Sequence, residues 1–95
     1  METDMAIKEL YETILARKDH PKEGSYTSSL FADGLPRMAQ KVGEEGTEVV
    51  VAALSQENKR LVEELADLVY HTLVLMAAKG VNPEDVAQEL EKRRR

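Results

Sequence analysis

The segment from Lys59 to Lys79 constrains the fold more than any other. Leu61, Val62, Leu65, Leu68, Val69, Leu73, Leu75 and Met76 recur in it at helical spacing. On a wheel of ~100° per residue they spread over half the circumference or more. A helix that apolar is normally surrounded by neighbours. With 95 residues in all, the chain has few helices to surround it with. The expected architecture is therefore all-α: a bundle of four to five helices in one domain, 1-95, completed by a second copy in a homodimer. A monomeric bundle with a tight core is the alternative. The 5 Gly, 3 Pro and 4% aromatic residues argue against a many-stranded β fold.

Periodicity and punctuation place the other elements. Ile7, Leu10, Tyr11, Ile14 and Leu15 predict a helix over about Thr3 to Arg17, with Thr3 or Asp4 as its cap. Asp19 to Gly24 is a loop. Ser25 to Ala32 reads as a short helix ended by Gly34. Pro36 suits the first position of a helix running to about Leu54. Ser55 to Asn58 is a polar turn, and Gly80 closes the long apolar helix. Asn82, Pro83 and Asp85 open a last helix that uses Val86 and Leu90.

Composition excludes several functions. There is no Cys, hence no disulfide, thiolate nucleophile or Cys-based zinc site. The net charge of -5 disfavours general nucleic-acid binding, and the Lys92 to Arg95 run reads as a solvated tail. No apolar run is long enough to cross a bilayer. Met1-Glu2-Thr3-Asp4 is acidic and lacks an apolar h-region. The expectation is a soluble, cytoplasmic domain without membrane or nucleic-acid partners.

Two acidic stripes carry the chemistry. Lys41, Glu44, Glu45 and Glu48 share one helix face. Glu64, Asp67 and His71 share a face of the next helix. Both stripes border apolar residues, where a helix meets a neighbour. Solvated acidic faces are common, but two observations oppose that reading. No Lys or Arg lies between Val42 and Asn58, or between Leu61 and Ala78. Glu44 and Glu48 are a like-charged i,i+4 pair, which costs ~0.2–0.5 kcal/mol. Clustered carboxylates at a core edge need a compensating cation. Glu45 and Glu48 are i,i+3 on one helix, as are Glu64 and Asp67 on the next. Helices packed ~8–10 Å apart let such side chains converge on one or two ions. All-oxygen donors favour Mg²⁺, with Mn²⁺ as a substitute. An acidic pocket accepts an anionic polyphosphate only through such a metal, so the chemistry expected is hydrolysis of a phosphate anhydride. The Glu-x-x-His pairs of di-iron bundles, His-Glu-x-x-His and the P-loop are all absent.

Glu44-Glu45-x-x-Glu48 followed by Glu64-x-x-Asp67 resembles the signature of the all-α nucleoside-triphosphate pyrophosphohydrolases, the MazG-like superfamily. Ser25-Tyr26-Thr27-x-x-Leu30, Gly34, Lys41-Val42-Gly43-Glu44-Glu45 and Ala66-Asp67-Leu68-x-Tyr70-His71 narrow this. With them the chain is similar to the phosphoribosyl-ATP pyrophosphohydrolases from about Leu10 to Arg93. The resemblance implies Mg²⁺-dependent hydrolysis of phosphoribosyl-ATP to phosphoribosyl-AMP and pyrophosphate, the second step of histidine biosynthesis. A separate cyclohydrolase would then act next. The resemblance also implies Glu45, Glu48, Glu64 and Asp67 as metal ligands. Glu44 and Glu48 stand as catalytic candidates, with Glu44 in an outer shell or as the base.

For the remaining residues two readings stay open. Lys41 can meet a substrate phosphate or pair with Glu44 or Glu45. Arg17, with Lys18, can bind phosphate or answer the helix dipole. Ser25, Tyr26 and Thr27 can receive an anion at a helix start, yet Ser25 also reads as a plain N-cap. His71 can touch substrate or orient the Asp67 carboxylate one turn away. Gly43 and Gly46 weaken their helix by ~0.5–1 kcal/mol each relative to Ala, which close helix approach would explain. The alternatives to the family reading are a house-cleaning (d)NTP pyrophosphohydrolase, which need not carry Ser25-Tyr26-Thr27 or Tyr70-His71, and a non-catalytic dimeric helical interaction module.

Overall fold

The computed structural model describes residues 3–94. Met1 and Glu2 of the acidic start, and Arg95 of the basic run, lie outside the described residues. Five helices follow one another: α1 (Thr3–Asp19), α2 (Tyr26–Asp33), α3 (Leu35–Ser55), α4 (Asn58–Lys79) and α5 (Pro83–Arg93). Thr3 and Asp4 lie within the first turn of α1 rather than ahead of it.

The boundaries follow from local chemistry. Ser25 is extended, and its hydroxyl accepts the Ser28 N–H at 3.1 Å, which caps α2. Gly34 ends α2 with φ 98, a conformation open to glycine. Its N–H reaches the Leu30 carbonyl at 3.2 Å, and Pro36 enters the first turn of α3. Gly80 takes the left-handed conformation after α4, and the Val81 N–H returns to the Met76 carbonyl at 2.9 Å. Asn82 and Asp85 form a reciprocal capping box on α5, with bonds of 3.1 and 3.0 Å.

The most extensive packing is between α3 and α4, joined by Gln56 and Glu57 alone. Glu45, well before this turn, meets Glu64, well after it. The two helices therefore form an antiparallel hairpin. α1 crosses α4, and α2 bridges α1 and α3. The main core gathers Tyr11 and Ile14 of α1, Leu30 of α2, Met38 of α3, and Leu73, Val74 and Ala77 of α4. Tyr11 donates its hydroxyl to the Val81 carbonyl at 2.7 Å, and Lys18 donates to the Ala77 carbonyl at 3.1 Å. The first ties α1 to the connection after α4, the second to the last turn of α4.

Burial is thus concentrated at one end of the hairpin. Toward its tip Ala52 is buried, but Val50, Val51 and Leu54 of α3 and Val62 and Leu65 of α4 are exposed, Leu54 by 83%, and Val69 is exposed midway along α4. The chain itself covers only part of the broad apolar surface of α4. Two expectations need correction. Val86 and Leu90 do not anchor α5: both are exposed, and no α5 residue is buried. A Cβ built on Gly43 or Gly46 would meet nothing within 4 Å. Close approach within the chain therefore does not account for these glycines.

A candidate metal centre between two helices

Because α3 and α4 run antiparallel, Glu45 of α3 comes to face Glu64 and Asp67 of α4. Glu45, Glu64 and Asp67 each offer a carboxylate oxygen, and these atoms lie within 4.8 Å of one another. Glu64 is buried, Glu45 partly buried and Asp67 exposed. The cluster therefore starts inside the helix interface and opens to solvent. Three hard oxygen donors with an open side fit a cation such as Mg²⁺, which retains waters and shares its shell with phosphates. Glu48 was grouped with these residues in the sequence. It lies one turn from Glu45, exposed and outside the trio, although its charge acts on Glu64.

Burial pushes the Glu64 carboxyl above its ordinary value. The Arg60 charge opposes that rise, while a hydrogen bond to Asp67 and the charges of Glu48 and Asp67 add to it. Arg60 was not singled out from the sequence. Its Nη2 donates to Glu64 Oε2 and its Nη1 to Glu63 Oε1, each at 2.6 Å. The signal was present as an i,i+4 pairing. It was missed because the stretch without basic residues begins one position later, at Leu61.

Glu44 turns away from the cluster. It accepts from Gln40 Nε2 at 2.8 Å and lies 3.4 Å from Lys41 Nζ and 3.9 Å from Arg37 Nη1. The Gln40 bond, then the Lys41 bond, hold its carboxyl below the ordinary value. Lys41 adopts the ion-pair arrangement, with Nζ also 3.3 Å from Glu45 Oε1. Burial pulls its pKa down, but the bonds to Glu45 and Glu44 outweigh that and hold it up.

An aromatic cluster borders the acids. His71 is buried. Its Nδ1 lies 2.8 Å from the main-chain carbonyl of Asp67, and its Nε2 lies 3.0 Å from the Tyr26 hydroxyl. A carbonyl only accepts, so Nδ1 carries a proton, and in the neutral ring Nε2 accepts from Tyr26. His71 therefore touches the Asp67 backbone and not, as the spacing suggested, its carboxylate. Tyr26 stacks on Tyr70 with ring centres 6.2 Å apart, and the Thr27 and Tyr70 hydroxyls are hydrogen-bonded. Burial raises the Tyr70 phenol, the Thr27 bond lowers it, and the Tyr26 charge raises it, with a net rise. Ser25 serves as the cap of α2. Arg17 stands in the last turn of α1 and forms no ion pair among the described residues.

A family model described as phosphoribosyl-ATP pyrophosphohydrolase matches residues 7–94. The chain belongs to the phosphoribosyl-ATP pyrophosphohydrolase family. Curated relatives agree with this family assignment. A phosphoribosyl-ATP pyrophosphatase of Sulfurisphaera tokodaii is 56% identical over 88% of this chain and 89% of its own length. One of Saccharolobus solfataricus is 49% identical over 94% and 95% respectively. One of Listeria innocua is 53% identical over 92% and 84%. Within the phosphoribosyl-ATP pyrophosphohydrolase family, the carboxylates between α3 and α4 are the candidate centre of a hydrolase acting on a phosphoric anhydride.

Proposed function

We propose that the protein hydrolyses the α–β anhydride of phosphoribosyl-ATP with Mg²⁺, Mn²⁺ being a substitute. Water adds at phosphorus, the bridging P–O bond breaks, and phosphoribosyl-AMP and pyrophosphate leave. This is the second step of histidine biosynthesis. The observation that carries the reading is a family match over residues 7–94 that includes three convergent carboxylates from two helices.

Glu45, Glu64 and Asp67 would hold the metal, with Glu48 beside them as a fourth ligand. When bound, Mg²⁺ offsets the charge of the polyphosphate and acidifies a water in its shell. Glu48, exposed one turn from Glu45, would take the proton from the attacking water with the carboxylate oxygen that does not hold the metal. Glu44 assists from outside the cluster, held ionised by Gln40 and Lys41. Arg17, with no ion pair among the described residues, meets a substrate phosphate, while Lys41 stays paired with Glu44 and Glu45. Ser25, Tyr26 and Thr27, with His71 behind Tyr26, line the substrate's path.

The protein acts as a cytoplasmic homodimer in which a second copy covers the apolar tip of the α3–α4 hairpin, and a separate cyclohydrolase takes the product onward. A pyrophosphate-release assay tests the function. Phosphoribosyl-ATP should be hydrolysed, ATP and dNTPs should not, and EDTA should stop the reaction. Equal release from dNTPs would favour a house-cleaning enzyme. No release from any nucleotide would favour a non-catalytic module.

A further inference from the structure

We infer that Arg60 stands in for the metal's charge at Glu64 in the metal-free protein, so that guanidinium and metal compete for that carboxylate. This rests on the metal-centre reading above.

Glu64 is the buried member of the acid cluster, with 6% of its surface exposed. A buried carboxylate among other acids requires a cation. Lys41 serves that need for Glu45 at 3.3 Å. Arg60 serves it for Glu64 at 2.6 Å. Asp67 and Glu48 are exposed and are left to water. Each partly or fully buried acid of the centre thus already has a cation from its own helix.

The Arg60 arm is built to let go. Its side chain is 52% exposed, and Nη1 is already bonded at 2.6 Å to Glu63, itself 46% exposed. Release from Glu64 leaves the guanidinium paired with Glu63 and hydrated, so a divalent ion can take over Glu64 without stranding a charge.

Arg60 could instead assist the metal by fixing one Glu64 oxygen and presenting the other. The two roles differ in sign. A guanidinium one carboxylate away from a divalent ion is repelled by it, and that repulsion exceeds the gain from freezing one rotamer-rich side chain. Loss of Arg60 should therefore tighten metal binding.

The test uses Mn²⁺ alone, without substrate, followed by electron paramagnetic resonance and by thermal unfolding. Arg60→Gln should bind Mn²⁺ about tenfold more tightly than the parent. Without metal it should unfold at a lower temperature, and saturating Mn²⁺ should narrow that gap. Arg60→Lys, which keeps the charge, should stay near the parent in affinity. Equal or weaker Mn²⁺ binding by Arg60→Gln would overturn the proposal. A second measurement on the unaltered protein holds even where that variant fails to fold. The Arg60 guanidinium protons should exchange with water faster once Mg²⁺ saturates the site. Unchanged exchange at saturation would overturn the proposal and leave the metal centre standing. An unaltered protein that takes up no Mn²⁺ would overturn both.

Discussion

Tyr11 joins the core to the connection between α4 and α5, with 8% exposure and a 2.7 Å bond to the Val81 carbonyl. Tyr11→Phe keeps the ring and strands that carbonyl, so stability at neutral pH should fall by about 1 kcal/mol in denaturant melts. Burial, then the charge of Asp85, raise the Tyr11 phenol above its ordinary value of 10.0. Its stabilisation is complete below the unfolded value and is lost as pH rises through the higher folded one. The parent should therefore lose its advantage over the Phe variant above pH 10, and a constant difference across that range would count against the assignment. The same scale shows what sequence spacing can reveal. Glu45, Glu64 and Asp67 were legible because helical spacing fixes the face a side chain occupies. The contact between His71 and the Asp67 carbonyl was not, since spacing brings residues near without choosing between main chain and side chain. The Arg60–Glu64 pair was readable but overlooked.

Among the elements, caps and breakers were the most legible features. Gly34, Gly80 and the Asn82-Pro83-x-Asp85 start each act as their chemistry dictates. The packing of α5 was not legible. Its Val86 and Leu90 suggested an apolar face, yet the helix packs chiefly on α1 and buries no residue. Periodicity reports which face is apolar, not whether anything covers it. A helix so lightly anchored depends on its cap. Asn82→Ala removes one half of the capping box and should cost about 1 kcal/mol. Hydrogen exchange should report that loss first in α5, with α3 and α4 still protected. Equal loss of protection across all helices would mean that α5 is part of the global folding unit.

At the scale of the whole molecule, the core closes one end of the α3–α4 hairpin and leaves the other apolar. Val50, Leu54, Val62 and Leu65 form exposed apolar surface on that tip, continued by Val69 midway along α4, more than scattered residues on a monomer would explain. The wide apolar wheel of α4 announced this surface in the sequence, but no pattern in a single chain states how a second copy docks. Sedimentation should give about twice the chain mass of 10.7 kDa, and Leu54→Asp should shift the species toward monomer by desolvating a charge in the contact. A folded 10.7 kDa species at micromolar concentration would contradict the dimer. The same hairpin brings the acids of two helices together, and their cluster is the place where the reaction is proposed to run. Asp67→Ala leaves the core untouched and removes one of three convergent oxygens, so the helical circular dichroism should persist. Mg²⁺-dependent pyrophosphate release from phosphoribosyl-ATP is the direct test. Asp67→Ala should abolish it at every Mg²⁺ concentration, and full activity of that variant at limiting Mg²⁺ would contradict a reaction carried by these carboxylates.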